Sequence, residues 1–234
     1  MQDNFPDLTS TEKRRMGELL EALRTSVESD VHPTSWLVDE QFADEFESRL
    51  LAQHIFMKSV VAQDSFDAAF IASARVAGRK VTPAPDGQRF WDVEVDGLKI
   101  SLKSSKAKSL KHEKLHISKL TEAAWIQDCR TARMRMERVQ NLFKEYVEIV
   151  SSIIQLRFFS ATKTYELVEV SSDLLRQILD LTVGEFAAEG STIDIPVGKT
   201  PPDFTLKLDR SDAKITLANI AKDQCKVHAT WRLG

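Results

Sequence analysis

Cysteine, long apolar runs and net charge are all scarce in this chain, and each scarcity excludes something. Two cysteines among 234 residues, Cys129 and Cys225, supply neither a disulfide framework nor the spacing of a metal site. They read as free buried thiols in a reducing compartment. No stretch approaches the eighteen or so apolar residues that a membrane span needs. The opening residues, MQDNFPDLTSTEKRR, lack the apolar segment of a secretion signal. A cytoplasmic protein with no membrane partner is therefore expected. Internal repeats and low-complexity tracts are missing as well. The net charge is only -3, without the global basic excess of many nucleic-acid binders. What is present is ordinary for a globular chain, at 42 % hydrophobic and 29 % charged residues. The length suits one compact domain spanning 1–234 with a sizeable core.

The small total hides a segregation of charge. Residues 1–50 hold twelve acids against five basic residues, a local balance of -7. From Lys99 to Lys119 there are seven lysines and a single acid, Glu113, a local balance of +6. A concentrated positive field of this kind attracts a polyanion whatever the sum over the chain. Lys106, Lys108, Lys111, Lys114 and Lys119 are the candidate contacts to a nucleic-acid backbone.

Directly before that stretch lies the most informative segment of the chain, Asp92 to Lys103. Val93 and Val95 alternate with acids, Asp96-Gly97 follows, and Ile100 and Leu102 then alternate with Ser101 and Lys103. An Asp-Gly pair between two alternating runs predicts a hairpin. Such a hairpin sets the Asp92 carboxylate near the Lys103 ammonium on adjacent strands. One reading is an amphipathic hairpin with a polar outer face. The other is a minimal apparatus for phosphodiester hydrolysis, with the acid holding a divalent ion and the lysine orienting a water.

Around the hairpin, the periodicity predicts three N-terminal helices. The first opens at Ser10-Thr11-Glu12, carries Met16, Leu19, Leu20 and Leu23, and ends before His32-Pro33. The second runs from about Val38 to the Val60 region with Phe42, Phe46, Leu50, Leu51 and Phe56 on its apolar side. The third, from Ser65 to Ala77, stops at Gly78. Ser35 and Ser65 are plausible N-caps. After the lysine-rich loop, Ser118 is expected to cap a long helix bearing Leu120, Trp125 and Ile126. Arg130, Arg133, Arg135 and Arg138 follow on it, either to track phosphates or to keep a solvated face. Strands are expected within Val147–Phe159, at Tyr165–Val170, and in four short runs between Thr192 and Arg232, with a short helix over Leu174–Leu181. The turn Asp209–Lys214 contains Arg210 and Lys214, which suit base or phosphate contact as well as an ordinary polar turn. His228 reads as a structural histidine.

Asp92, eight residues, then Ser101-x-Lys103 resembles the core motif of the PD-(D/E)XK nuclease superfamily. His116–Trp125, Tyr165–Val170 and the closing strands resemble type II restriction endonucleases within it. Two positions depart from the pattern: Trp91 stands where the family has proline, and Ser101 stands where it has a glutamate. Some relatives with Ser-x-Lys recover the lost acid from a following helix. The resemblance thus implies Asp92 and a displaced acid as metal ligands. Glu122 is the first candidate for that acid, Glu113 its rival, and Glu45 a further one from an N-terminal helix. Lys103 would position the attacking water, and Ser101 would bond a water in the ion's shell.

The fold expected is α/β, a restriction-endonuclease-like mixed sheet flanked by helices. Residues 1–80 form a helical part, 81–170 the catalytic core and 171–234 a β-rich part. The function implied is Mg²⁺-dependent cleavage of double-stranded DNA by a type II restriction enzyme acting as a homodimer, since palindromic sites pair with two-fold symmetry. The alternatives are a non-catalytic DNA-binding module of the same fold and a protein-interaction domain with a basic loop.

Overall fold

The computed structural model describes residues 7–234. A capping box opens α1 (Ser10–Leu23): the Thr9 hydroxyl accepts from the Glu12 amide while the Glu12 carboxylate accepts from the Thr9 amide. The helix stops short of the predicted end, and β1 (Val27–Val31) takes the remaining residues. Its partner lies two hundred residues away, so no local pattern announces it. The next helix, α2 (Glu40–Leu51), is capped by Asp39, whose carboxylate accepts from the Phe42 amide at 2.9 Å, and it closes in a π-turn over Ala52–Phe56. Ser35 caps no helix; its hydroxyl accepts from the Leu37 and Val38 amides. After α3 (Gln63–Val76) come β2 (Val81–Pro83), β3 (Val93–Val95) and β4 (Leu98–Ser105).

The β3–β4 pair is the hairpin that the sequence predicts. Val93 faces Ile100 and Val95 faces Leu98, and Asp96 and Gly97 turn at φ 51° and 88°. Positive φ at both central residues matches the right-handed twist of the flanking strands.

The largest difference from expectation follows. Ser118 does not cap a helix but lies within β5 (Lys114–Glu122). A short 3₁₀ segment, Ala124–Asp128, leads to α4 (Ala132–Ile149), which is capped by Thr131. The physical reason is alternation: Leu115, Ile117 and Leu120 go into the core while His116, Ser118 and Lys119 stay out. The remaining elements are β6 (Ser152–Phe159), β7 (Thr164–Ser171), α5 (Ser172–Arg176), β8 (Thr192–Val197), β9 (Phe204–Asp209), β10 (Lys214–Ala221) and β11 (Lys226–Leu233).

Two sheets result. The larger runs β1-β11-β7-β6-β4-β3-β2, and the smaller β5-β10-β9-β8. Only β4 and β6 pair in parallel within the larger sheet, joined by the crossover that contains β5 and α4. Every residue of β6 is buried, as a strand covered on both faces must be. On one face α2 and α3 pack Phe42, Phe46, Phe66 and Phe70 against Leu102, Ile154 and Trp231. On the other, α4 and the smaller sheet pack Phe143 and Tyr146 with Ile153, Val168, Ile215 and Leu217. The mixed α/β architecture with N-terminal helices and a β-rich C-terminal part is therefore as expected. Among the described residues no helix is long and apolar enough to cross a membrane.

Candidate active site

The hairpin delivers its acid and its lysine to one point. Asp92 Oδ2 accepts from the Leu102 amide at 2.6 Å and from Ser101 Oγ at 3.2 Å, and it lies 3.4 Å from Lys103 Nζ. The Lys103 ammonium also donates to the Leu102 carbonyl at 3.0 Å. Three donors on β4 thus converge on one carboxylate oxygen. Ser101 is 1 % exposed, so its hydroxyl holds Asp92 in place instead of reaching a ligand. The turn into β3 carries strain: Phe90 has φ 76°, a conformation that costs a bulky residue about 1–2 kcal/mol. Its buried ring sits edge-on to the fully buried Tyr146 at 5.3 Å, and this packing holds the chain two residues before Asp92.

A second acid comes from the third helix, which the sequence predicts without singling out an acid on it. Asp67 on α3 lines the same cleft, a hollow of about 710 Å³ that also includes Asp92, Lys103, His116, Ser118 and Gln155. Burial, reinforced by the charge of Asp92, pushes the Asp67 carboxyl up to about 6. Gln63, one turn earlier on α3, fixes it. Its side-chain amide donates to Asp67 Oδ1 at 2.7 Å and to the Leu102 carbonyl at 3.0 Å, and its carbonyl accepts from the Ser104 amide at 2.8 Å. One glutamine therefore ties helix, acid and strand together. The signal available in the sequence was faint: Gln63 and Asp67 repeat at i, i+4 beside Phe66 and Phe70, both fully buried.

The acids expected from the resemblance do not meet there. Glu122 lies at the end of β5, is 79 % exposed, and is bonded to Lys119 at 2.7 Å, which holds its carboxyl below the usual range. It missed the cleft because the predicted helix is a strand. Glu113 is exposed in the loop, with its carbonyl accepting from the Lys222 amide. Glu45 stays on α2, paired with Arg49. None of the three lines the cleft.

The lysine-rich segment forms the cleft's rim. Ser105, Ala107 and Ser109 line the hollow, while Lys106, Lys108, Lys111 and Lys114 are exposed. Its root is fastened from below by Arg157, fully buried on β6. That guanidinium pairs with Glu166 at 2.6 Å and donates to the carbonyls of Lys111 and Lys114. Lys119 lines the cleft from β5. Lys214 is neutralised by Asp212 and Asp209. Arg210 reaches toward the Gly190 carbonyl, and neither of these two residues lines the cleft. The arginine row divides: Arg130, Arg133 and Arg138 are exposed, whereas Arg135 is buried against the Phe186 carbonyl. His228, also buried, bridges Ser35 and Glu169 as a structural tie.

The donor set suits a hard cation. Among the described residues no cluster of three or more His, Cys, Asp or Glu side chains is arranged to hold a metal. The cleft instead offers two carboxylates, Asp67 and Asp92. Magnesium takes one or two carboxylates and keeps several waters for the remainder.

A family model described as SmaI, type II site-specific deoxyribonuclease, matches residues 5–233. The chain is similar to the type II restriction enzyme SmaI of Serratia marcescens, at 25 % identity over 211 residues, covering 83 % of this chain and 81 % of that one. A solved structure described as a restriction endonuclease in complex with substrate DNA aligns over 97 % of this chain and 88 % of its own. The identity there is 11 % and the TM-score 0.36, a likeness too slight to place any residue.

Proposed function

This chain belongs to the SmaI family of type II site-specific deoxyribonucleases, and from that premise we propose that the cleft cuts both strands of duplex DNA with Mg²⁺ held by Asp67 and Asp92. The observation that carries the reading is the convergence of Asp92, Lys103 and the Gln63-fixed Asp67 in one hollow. It favours hydrolysis over the non-catalytic binder, since a module that only bound DNA would have no use for two carboxylates facing a polyanion.

Asp67 and Asp92 would hold the ion. When bound, it supplies Lewis-acid polarisation of the phosphate and acidifies a water at neutral pH. The chain's own groups do the rest. Lys103 donates toward the site of attack, orienting the water and balancing charge on the scissile phosphate. Ser101 and the Leu102 amide keep Asp92 in one rotamer, and Gln63 does the same for Asp67. The exposed lysines of the rim engage the backbone outside the scissile position. On this reading the Asp92 and Ser101-x-Lys103 pattern is a PD-(D/E)XK-type site in which an acid from α3 replaces the one absent at Ser101. Two copies related by a two-fold axis would serve the two strands of a palindrome.

Digestion of unmethylated phage DNA with magnesium tests this. Discrete fragments are expected from the native protein, and intact but bound DNA from Asp92→Asn. Intact DNA with every divalent metal tried, or equal cutting by Asp92→Asn, would overturn the reading.

A further inference from the structure

A second hollow, of about 280 Å³, opens between the lysine-rich loop, β5 and β10, with Leu110, Lys111, Lys114, His116 and Asn219 among its lining residues. Ser105, Ala107, Ser109 and His116 line this hollow and the catalytic cleft alike. The two therefore adjoin along one wall, with Asp67, Asp92 and Lys103 at one end and Asn219 at the other.

Asn219 reaches that wall through an irregularity in β10. The pairing with β5 steps from Leu217 opposite Ile117 to Ile220 opposite Leu115, so Ala218 and Asn219 both stand against His116. Such a bulge interrupts the ladder and re-aims a side chain. Asn219 has φ 53°, a left-handed backbone that costs an asparagine less than most residues but is still strained. The strand is buried from Ile215 to Ala218 and again at Ile220, whereas Asn219 alone in that run is exposed. The strain thus buys no packing within the chain; it presents one carboxamide to the groove.

This end adds uncharged groups to the lysines of the rim. Asn219 offers a donor and an acceptor without charge. His116 does the same in its neutral form, which its partial desolvation in the groove favours. Lys111 and Lys114 flank the two. Phosphates are taken by charged groups, whereas uncharged amides and imidazoles match the donor and acceptor pattern of base edges.

We propose that Asn219, with His116 beside it, reads a base edge of the target duplex, and that the β10 bulge is a specificity-determining element of this nuclease. The inference rests on the reading of the adjoining cleft as the site of DNA cleavage. The probe is a library of randomised DNA duplexes cut in the presence of magnesium, with the cut ends sequenced. Wild-type protein is compared with Asn219→Gly, whose glycine suits the left-handed backbone and so keeps the fold, and with Asn219→Asp. Asn219→Gly is expected to lose about 10- to 100-fold of discrimination at one base-pair position of each half-site. The salt slope of its binding should stay unchanged. Asn219→Asp, which keeps an acceptor and loses the donor, should favour a different base at that position, an outcome that a structural role would not produce. Unaltered discrimination at every position in Asn219→Gly overturns the proposal. So does an equal loss of affinity for all sequences with a shallower salt slope, which would make Asn219 a phosphate contact. Failure of the wild-type protein to cut any member of the library would instead overturn the cleavage reading itself.

Discussion

The two walls of the cleft are built to opposite rules. On the α3–β4 wall, each functional side chain is held by others: Asp92 by Ser101 and the Leu102 amide, and Asp67 by a Gln63 that also grips β4. On the facing wall, the lysines of the loop stand exposed, and the order lies beneath them, where Arg157 holds the backbone at Lys111 and Lys114. Chemistry needs atoms fixed to a fraction of an ångström, because misplacement forfeits the transition state. Attraction of a polyanion needs only charge within a Debye length, and mobile side chains supply that. The contrast explains why the functional side chains are hydrogen-bonded in place at one wall and solvated at the other.

Mutations on the two walls should therefore fail differently. The largest effect is expected from Asp92→Asn, which keeps the shape and removes the charge: cleavage should fall by on the order of 10²–10³-fold or more, with DNA binding retained. Single-turnover assays alongside gel shifts measure both. Loss of binding together with cleavage would erase the distinction between the walls.

Asp67→Asn comes next, with cleavage about 10- to 100-fold lower and a steeper requirement for magnesium. It also has a signature in the metal-free protein. The folded-state carboxyl sits at about 6, above its ordinary 3.8, so the folded chain binds that proton more tightly than the unfolded one. Stability is then lost as pH rises from about 4 through 6, and the cost stands in full above 6. Asp67→Asn removes this cost, so its metal-free melting temperature should exceed that of wild type at pH 8 and match it near pH 4. An equal difference at both pH values would mean that Asp67 is not the strained acid of the site.

On the binding wall, replacing Lys106, Lys108 and Lys111 together with alanine should weaken DNA binding and reduce the salt slope by about 2.7, at about 0.9 per phosphate contact. The single-turnover rate on saturating DNA should change far less. An unchanged slope would take the loop off the DNA. The smallest effect is expected for Glu122→Gln: its pair with Lys119 is exposed and screened by solvent, and cleavage should stay within about twofold of wild type. A large loss there would return the second acid to the position that the sequence suggested.

How much of this was legible is best seen residue by residue. Asp92, Ser101 and Lys103 lie within twelve residues on a hairpin whose turn chemistry is local, so the sequence placed them correctly relative to one another. Asp67 lies 25 positions before Asp92, and the i, i+4 repeat of Gln63 and Asp67 in QDSFDAAF is too faint to set a cleft carboxylate apart from a solvated one. Glu122 was misplaced because Leu120, Trp125 and Ile126 mimic a helical stripe, while the inward Leu115 and Ile117, followed after an irregularity by Leu120, support a strand only once β10 lies beside it. Asn219 lay outside any motif, since a bulge exists only with respect to a partner strand.

By itself, the sequence determined what depends on near neighbours: the Asp96-Gly97 turn, the pairing of one acid with one lysine, the charge of the loop, and the alternation of the closing strands. The tertiary structure decided what depends on surfaces distant in the chain. It brought α3 against β4 so that Asp67 meets Asp92, turned β5 into the second wall, and buried Arg157 beneath the lysines. The reason is physical. A turn or a strand period is fixed by the energetics of a few consecutive residues, whereas the position of a carboxylate is fixed by which apolar faces are buried together, here Phe66 and Phe70 of α3 against Leu102 and Ile154 of the sheet.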